Sequence, residues 1–449
     1  MTIHKNKRLR GSAIALGCIL ALPGVASADV SREALEQRVS ELERQVQELV
    51  GELRRQRDTT AIASAPLVPA GKQPVQAVSL TPNSPAGTTL RYTGFIKTDI
   101  MATKAHDGQL ADAAAGRILY VPSQTPVGGR ASDVDYDAHA KFSRFGIGVD
   151  TVTESGDKGG AYVEMDFFGN ALGNQTSTNT YGVTVRHAYA YWNRWLAGQT
   201  WTNFMDVGAL PDTVDFIGPT DGVLFVRQAQ VRYTSGAFSA SLENPETTYI
   251  QNGGGPVTAS DRGALPDLTA RYGWKGDWGS FGVGALLRSL KVDRAGSATV
   301  APISDSQIAG ALTVGGKWVL GKNDDLRYQL TVGNGFSRYV GLGVTADSAV
   351  DASGDLDALG GVAGYFAWRH VYSPKLRSNI VYARSQYDNP IALTGGGVTE
   401  SVHSLRANLF YSPFPKLDVG AELMLAEREL ENGTDGRLTR LQFTTKYSF

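Results

Sequence analysis

Leu441-Gln442-Phe443-Thr444-Thr445-Lys446-Tyr447-Ser448-Phe449 closes the chain. Side chains of an extended strand alternate between two faces. Leu441, Phe443, Thr445, Tyr447 and Phe449 therefore share one face, and Gln442, Thr444, Lys446 and Ser448 the other. One face suits lipid and the other water. A strand of this kind ending on an aromatic residue is the pattern of outer-membrane barrels, which turn apolar residues outward and polar ones inward. The expected fold is an all-β transmembrane barrel in a Gram-negative envelope, and transport is the first function it implies.

The start of the chain agrees. Lys5, Lys7, Arg8 and Arg10 precede an apolar run over residues 13–22, and Ala26-Ser27-Ala28 offers a small-residue cleavage site. Residues 1–28 are expected to be a signal peptide, with the mature chain beginning near Asp29. Cys18 is the single cysteine and leaves with that peptide, so no disulfide, thiolate metal site or cysteine nucleophile is expected. Past the signal no apolar run reaches the roughly 18 residues of a membrane helix. Yet 52 Gly, 18 Tyr, 16 Phe and 7 Trp in 449 residues suit a barrel, in which only the outward half of each strand must be apolar. A formal charge of -1 gives no hint of a nucleic-acid partner.

Residues 29–58 read as a short periplasmic coiled coil. Leu35, Val39, Leu42, Val46, Leu49 and Leu53 are spaced alternately four and three apart, with valines mostly at a and leucines at d. That seam predicts oligomerisation and by itself favours dimers. Residues 59–88, with Pro66, Pro69, Pro74, Pro82 and Pro85, read as an extended linker.

Residues 89–449 read as one barrel domain. Alternation and turn signals place strands at 90–102, 139–151, 160–168, 182–192, 195–201, 223–234, 238–243 and 267–274. Eight more fall at 278–292, 307–320, 326–333, 358–371, 375–387, 402–411, 417–427 and 438–449, for about 16, an even number as bacterial barrels require. Tight turns such as Ser373-Pro374 alternate with long connections such as residues 202–222. That asymmetry assigns short turns to the periplasm and long loops to the outside.

Strand parity identifies the lumen. It sets Arg91, Lys97 and Asp99 inward, then Arg144, Asp150, Glu164, Asp166, Arg186, Gln228, Arg232, Arg271, Arg288, Arg406, Asn408, Glu422, Arg440 and Lys446. A charge at mid-bilayer on the lipid side costs about 2–4 kcal/mol, so charges repeated on one face predict a wet lumen. Removing the 11 basic and 8 acidic residues before Thr89 from totals of 43 and 44 leaves the barrel 32 basic and 36 acidic. Several aspartates, Asp133, Asp135, Asp137, Asp347 and Asp351 among them, fall in long loops, whereas arginines recur on inward faces. A cationic constriction beneath an acidic rim would select small anions; a structural ladder of paired charges is the alternative. The connection 202–222 carries Asp206, Asp212 and Asp215 among Phe204, Phe216 and Ile217, which makes it the candidate constriction, although that mix suits a loop outside the barrel as well as one folded into it.

The runs Arg186-His187-Ala188-Tyr189 and Gly198-Gln199-Thr200-Trp201-Thr202-Asn203-Phe204-Met205-Asp206, with the closing strand from Arg440 and the order signal, coiled coil, linker, barrel, resemble DcaP-type porins. The resemblance covers essentially the whole mature chain. It implies a homotrimer of sixteen-stranded barrels in the outer membrane, among lipids and lipopolysaccharide, with the amino-terminal helices bundled in the periplasm. It also implies uptake of small anionic solutes, dicarboxylates in particular. Arg186, Gln199, Trp201, Asn203 and Asp206 carry over by motif as residues of the solute path.

Rival readings are a general diffusion porin and a barrel serving mainly as an envelope tether. Catalysis is not expected: the mature histidines His106, His139, His187, His370 and His403 are scattered, without a G-x-S-x-G elbow or an H-E-x-x-H pair. No cofactor or metal site is expected, and Asp351, Asp355 and Asp357 depart from EF-hand spacing.

Overall fold

A computed structural model describes residues 40–41, 43–45, 47–48, 87–169, 182–296 and 302–449. The chain divides into two compact units, Met1–Pro66 and Leu67–Phe449. In the first, the described residues are helical, and Arg44 pairs with Glu41 at 2.7 Å and Glu48 at 3.1 Å on an exposed face. The six seam positions Leu35, Val39, Leu42, Val46, Leu49 and Leu53, the signal peptide and the linker up to residue 86 lie outside the described residues.

The second unit is a closed antiparallel barrel of sixteen strands. In order they are β1 (Thr88–Ala105), β3 (Arg144–Val152), β4 (Lys158–Gly169), β5 (Gly182–Trp192), β6 (Trp195–Trp201), β7 (Arg227–Ser235), β8 (Phe238–Glu243) and β11 (Asp267–Gly276). β12 (Gly279–Arg294), β13 (Ile303–Leu320), β14 (Asp324–Asn334), β17 (Gly360–Ser373), β18 (Leu376–Asp388), β19 (Thr399–Phe414), β20 (Leu417–Leu430) and β21 (Asp435–Ser448) complete it. β21 returns to β1, with Lys97 opposite Lys446 and Thr103 opposite Arg440.

Every expected strand is present; β5, β6 and β8 keep the expected bounds and the others shift at one or both ends. The strand expected from residue 223 begins at Arg227, because the preceding residues belong to a loop in which Leu224 bridges to Val340. His139 ends a separate strand, β2 (Asp135–His139), which extends the sheet beside β1. Sequence reading also left as loop a small four-stranded sheet of β9 (Thr247–Ile250), β10 (Thr258–Ser260), β15 (Ser348–Val350) and β16 (Leu356–Ala358), whose strands are too short to show alternation.

Alternation decides which side chains meet lipid. Ile96, Ile100, Ile147, Leu287, Ile308, Leu312, Leu409 and Leu423 are exposed on the outer face. Trp192, Trp195, Trp274, Trp278, Trp318 and Trp368 are exposed where strands enter the short turns, an aromatic girdle at one interface. Phe449 stacks on Tyr92 with centroids 5.2 Å apart, and its backbone N–H donates to the Gly94 carbonyl at 3.1 Å.

Candidate functional site: a loop across the lumen

Residues 202–226, between β6 and β7, leave one wall and bond to the other. The Ala209 carbonyl accepts from Tyr365 of β17 at 3.0 Å, and the Asp212 carbonyl accepts from Asn408 of β19 at 3.0 Å. Val214 donates its N–H to Glu422 of β20 and accepts from Lys97 of β1. Gln329 of β14 donates to the Gly222 carbonyl, and Gly222 lies so close to Gly364 that a Cβ there would meet its carbonyl oxygen at 1.9 Å. Phe204, Ala209, Val214, Val223 and Leu224 are buried, and Phe204, Val223 and Leu224 join an apolar cluster shared with wall residues such as Leu286, Ala311 and Ala363.

A second segment, between β1 and β2, meets it. Tyr120 donates its hydroxyl to Asp221 at 2.7 Å and its N–H to Asp215 at 2.9 Å, while Ser404 of β19 also donates to Asp221. Burial pushes the Asp221 carboxyl above its ordinary range, against the pull of Arg406, Ser404 and Tyr120. A third segment, between β14 and β17, brings Asp347 to Arg288 at 3.1 Å and the Tyr339 hydroxyl to Asp267 at 2.8 Å.

These segments correct part of the wet-lumen expectation. Arg288, Arg406 and Arg440 face inward as parity requires, but all three are 2 % exposed or less. Arg288 binds Asp267 and Asp347, Arg406 reaches Glu422, and Arg440 donates to Thr103 and to the Gly116 carbonyl. Arg288 and Arg440 join wall to loop, Arg406 joins two wall strands and lies over the ring of Tyr120, and almost none of their surface faces water. Their burial comes from loops distant in sequence, which parity does not register.

On the β3–β5 wall, Arg144 approaches Glu164 at 3.3 Å, and Arg186 binds Glu164 at 3.0 Å and Asp166 at 2.8 Å. Both guanidiniums lie over the ring of Phe216 from the loop. Arg227 stacks on Trp201 and Phe225, its centre 4.6 Å and 5.6 Å from the ring centroids, and has no carboxylate partner among the described residues. Arg232 donates to Gln230 and to the Trp201 carbonyl, likewise with no carboxylate pair. Arg91 is half-open beside Asp150 at 3.4 Å, and Lys97 is buried against Asp99.

Toward the short-turn end, Asp206 caps a turn through Gly208 and pairs with Arg271 at 2.5 Å. Asp212 meets Arg377 at 3.3 Å and Arg369 at 3.8 Å, and Lys446 stands 3.7 Å from Asp418. Arg327 and Arg369 share Asp325. Arg227, Arg327, Arg369 and Arg377 were missed by sequence reading; for the last three, parity carried a usable signal.

The motif residues divide. Trp201 packs on the loop's apolar cluster, and Asn203 is buried, receiving Ser239 and donating to its carbonyl. Gln199 is not a lining residue: its amide donates to the Val185 carbonyl at 2.9 Å. It pairs with Ala188, which pairs with the exposed Val163, so it lies on the outer face. Beside it β5 carries a β-bulge, where Glu164 faces His187 and Met165 faces Val185. The extra residue lets both Arg186 and His187 reach Glu164, the latter at 3.8 Å. Among the described residues no group of three or more His, Cys, Asp or Glu is placed to hold a metal ion.

The sequence matches the family model of the DcaP outer membrane protein over residues 26–449. In fold, the outer membrane channel DcaP of Acinetobacter baumannii is similar with a TM-score of 0.67 at 24% identity, over 82% of this chain and 99% of that one. OmpT of Vibrio cholerae, folded in vitro, gives 0.50 at 12% identity, over 82% and 99%. No curated protein matches the sequence.

Proposed function

The chain belongs to the DcaP outer membrane protein family, and from that premise we propose that this outer-membrane porin prefers small anions, dicarboxylates among them. The observation that carries the reading is the charge at the crossing loop. Arg144, Arg186 and Arg227 stand there against Glu164 and Asp166, with Arg232 adjacent and unpaired by any described carboxylate. Cationic groups fixed at a narrowing keep their selectivity because screening by bulk salt is incomplete there. On this reading Arg91, Arg144, Arg186, Arg232 and Arg271 belong to the solute path, and Trp201, Asn203 and Asp206 shape its floor.

We further propose a homotrimer whose residues 29–58 bundle in the periplasm, the long loops facing outward. The heptad seam supports self-association, and the family resemblance supports three copies over the dimer that the seam alone favours. A second reading, a general diffusion porin, draws on the pairing of Arg186, Arg369 and Arg377 with carboxylates. Reversal potentials across a salt gradient in planar bilayers separate the two. Anion preference is expected, and ideal non-selectivity or cation preference overturns the proposal.

A further inference from the structure

A cavity of about 460 Å³ opens among the long loops, apart from the crossing loop. Its lining includes two arginines, Arg338 and Arg428, and no Asp or Glu. Arg338 is already engaged by Asp267 at 3.3 Å, Gln228 and the Asn244 carbonyl. Arg428 differs. Its guanidinium donates to Thr399 at 3.0 Å and to the Ser123 and Thr125 carbonyls, and no carboxylate pairs with it among the described residues. A fixed cation held in place by neutral acceptors is available to an incoming anion.

The rest of the lining mixes the aliphatic residues Ile250, Val257, Leu342, Val344 and Val398 with glycines, a proline and Ser and Thr residues. Leu342 is the unusual member. It holds a φ of +79° between Gly341 at +35° and Gly343 at +78°, so three successive residues are left-handed. A branched residue in that region is strained, and such strain persists where the surroundings over-determine it, commonly at ligand sites. Its side chain is 44% exposed and forms part of the cavity wall. Gly or Asn would sit there at lower cost, and Leu342 instead presents an apolar surface to the cavity.

We propose that this cavity is an outer capture site for organic carboxylates bearing a short aliphatic chain, the carboxylate on Arg428 and the chain on Leu342 and Val398. It goes beyond the pore's anion preference, since chloride or phosphate gains nothing from the apolar wall.

The test is calorimetric titration of the purified full-length protein with pentanoate and with acetate, against a micelle blank. Pentanoate is expected to bind at least tenfold tighter than acetate. Arg428→Gln is expected to weaken both at least tenfold. Because Arg428 also holds loop carbonyls, Leu342→Gly serves as a second variant that relieves strain and cannot unfold the site by adding bulk. It is expected to weaken pentanoate several-fold and leave acetate unchanged. Equal binding of pentanoate and acetate by the unaltered protein, or unchanged pentanoate binding by both variants, overturns the site. Binding is read without voltage, so a cation-preferring pore would contradict the proposed selectivity while leaving this result standing.

Discussion

Gly94 has no room for a side chain. A Cβ there would lie 2.4 Å from the Arg144 carbonyl oxygen and 2.8 Å from the Phe449 ring. The position therefore seats the terminal aromatic where β1 and β21 close the barrel. Gly94→Val is expected to destabilise closure by about 1–3 kcal/mol, the usual scale for overpacking, and to lower heat-resistant folded protein on gels with export unaffected. Unchanged folded yield would count against Phe449 as a closure contact. The same scale shows what local pattern can and cannot reveal. Arg91, Arg144 and Arg271 were legible because alternation is local. Gln199, carried over by motif alone, pairs with Ala188 on the outer face, and the bulge that lets Arg186 and His187 both reach Glu164 leaves no mark in local alternation.

At the scale of elements, three inward segments and the wall arginines depend on one another. Arg288 sits between Asp267 of β11 and Asp347 of the segment before β15, all at 2% exposure or less. Removing one member of such a buried set leaves uncompensated charge, at a cost of about 3–5 kcal/mol. Arg288→Met is expected to lower the denaturation midpoint of the purified protein markedly, with Asp347 and the small sheet released first to proteolysis. Wild-type protease resistance in that segment would contradict the role given to Arg288. The composition of residues 202–222, apolar side chains among aspartates, singled this loop out as the candidate constriction without deciding whether it folds inward. The other two segments carried no such signal, since Tyr120 and Asp347 become meaningful only once Asp221 and Arg288 are beside them.

For the whole molecule, the heptad seam is proposed to hold copies together independently of barrel closure. Deleting residues 31–58 is expected to reduce cross-linked trimer while leaving the heat-modifiable barrel intact, and loss of the folded barrel would show that the segment is needed for folding. The proposed selectivity belongs to this scale too, because it rests on how the whole lumen places charge around the crossing loop. The most direct measurement is the reversal potential of single channels under a potassium chloride gradient, for the unaltered protein and for Arg227→Gln with Arg232→Gln. These two arginines lack described carboxylate partners, so neutralising them breaks no ion pair among the described residues. An anion-preferring potential that moves toward cations in the double variant is the predicted result. A potential that begins non-selective, or stays fixed when both charges are removed, would contradict the account.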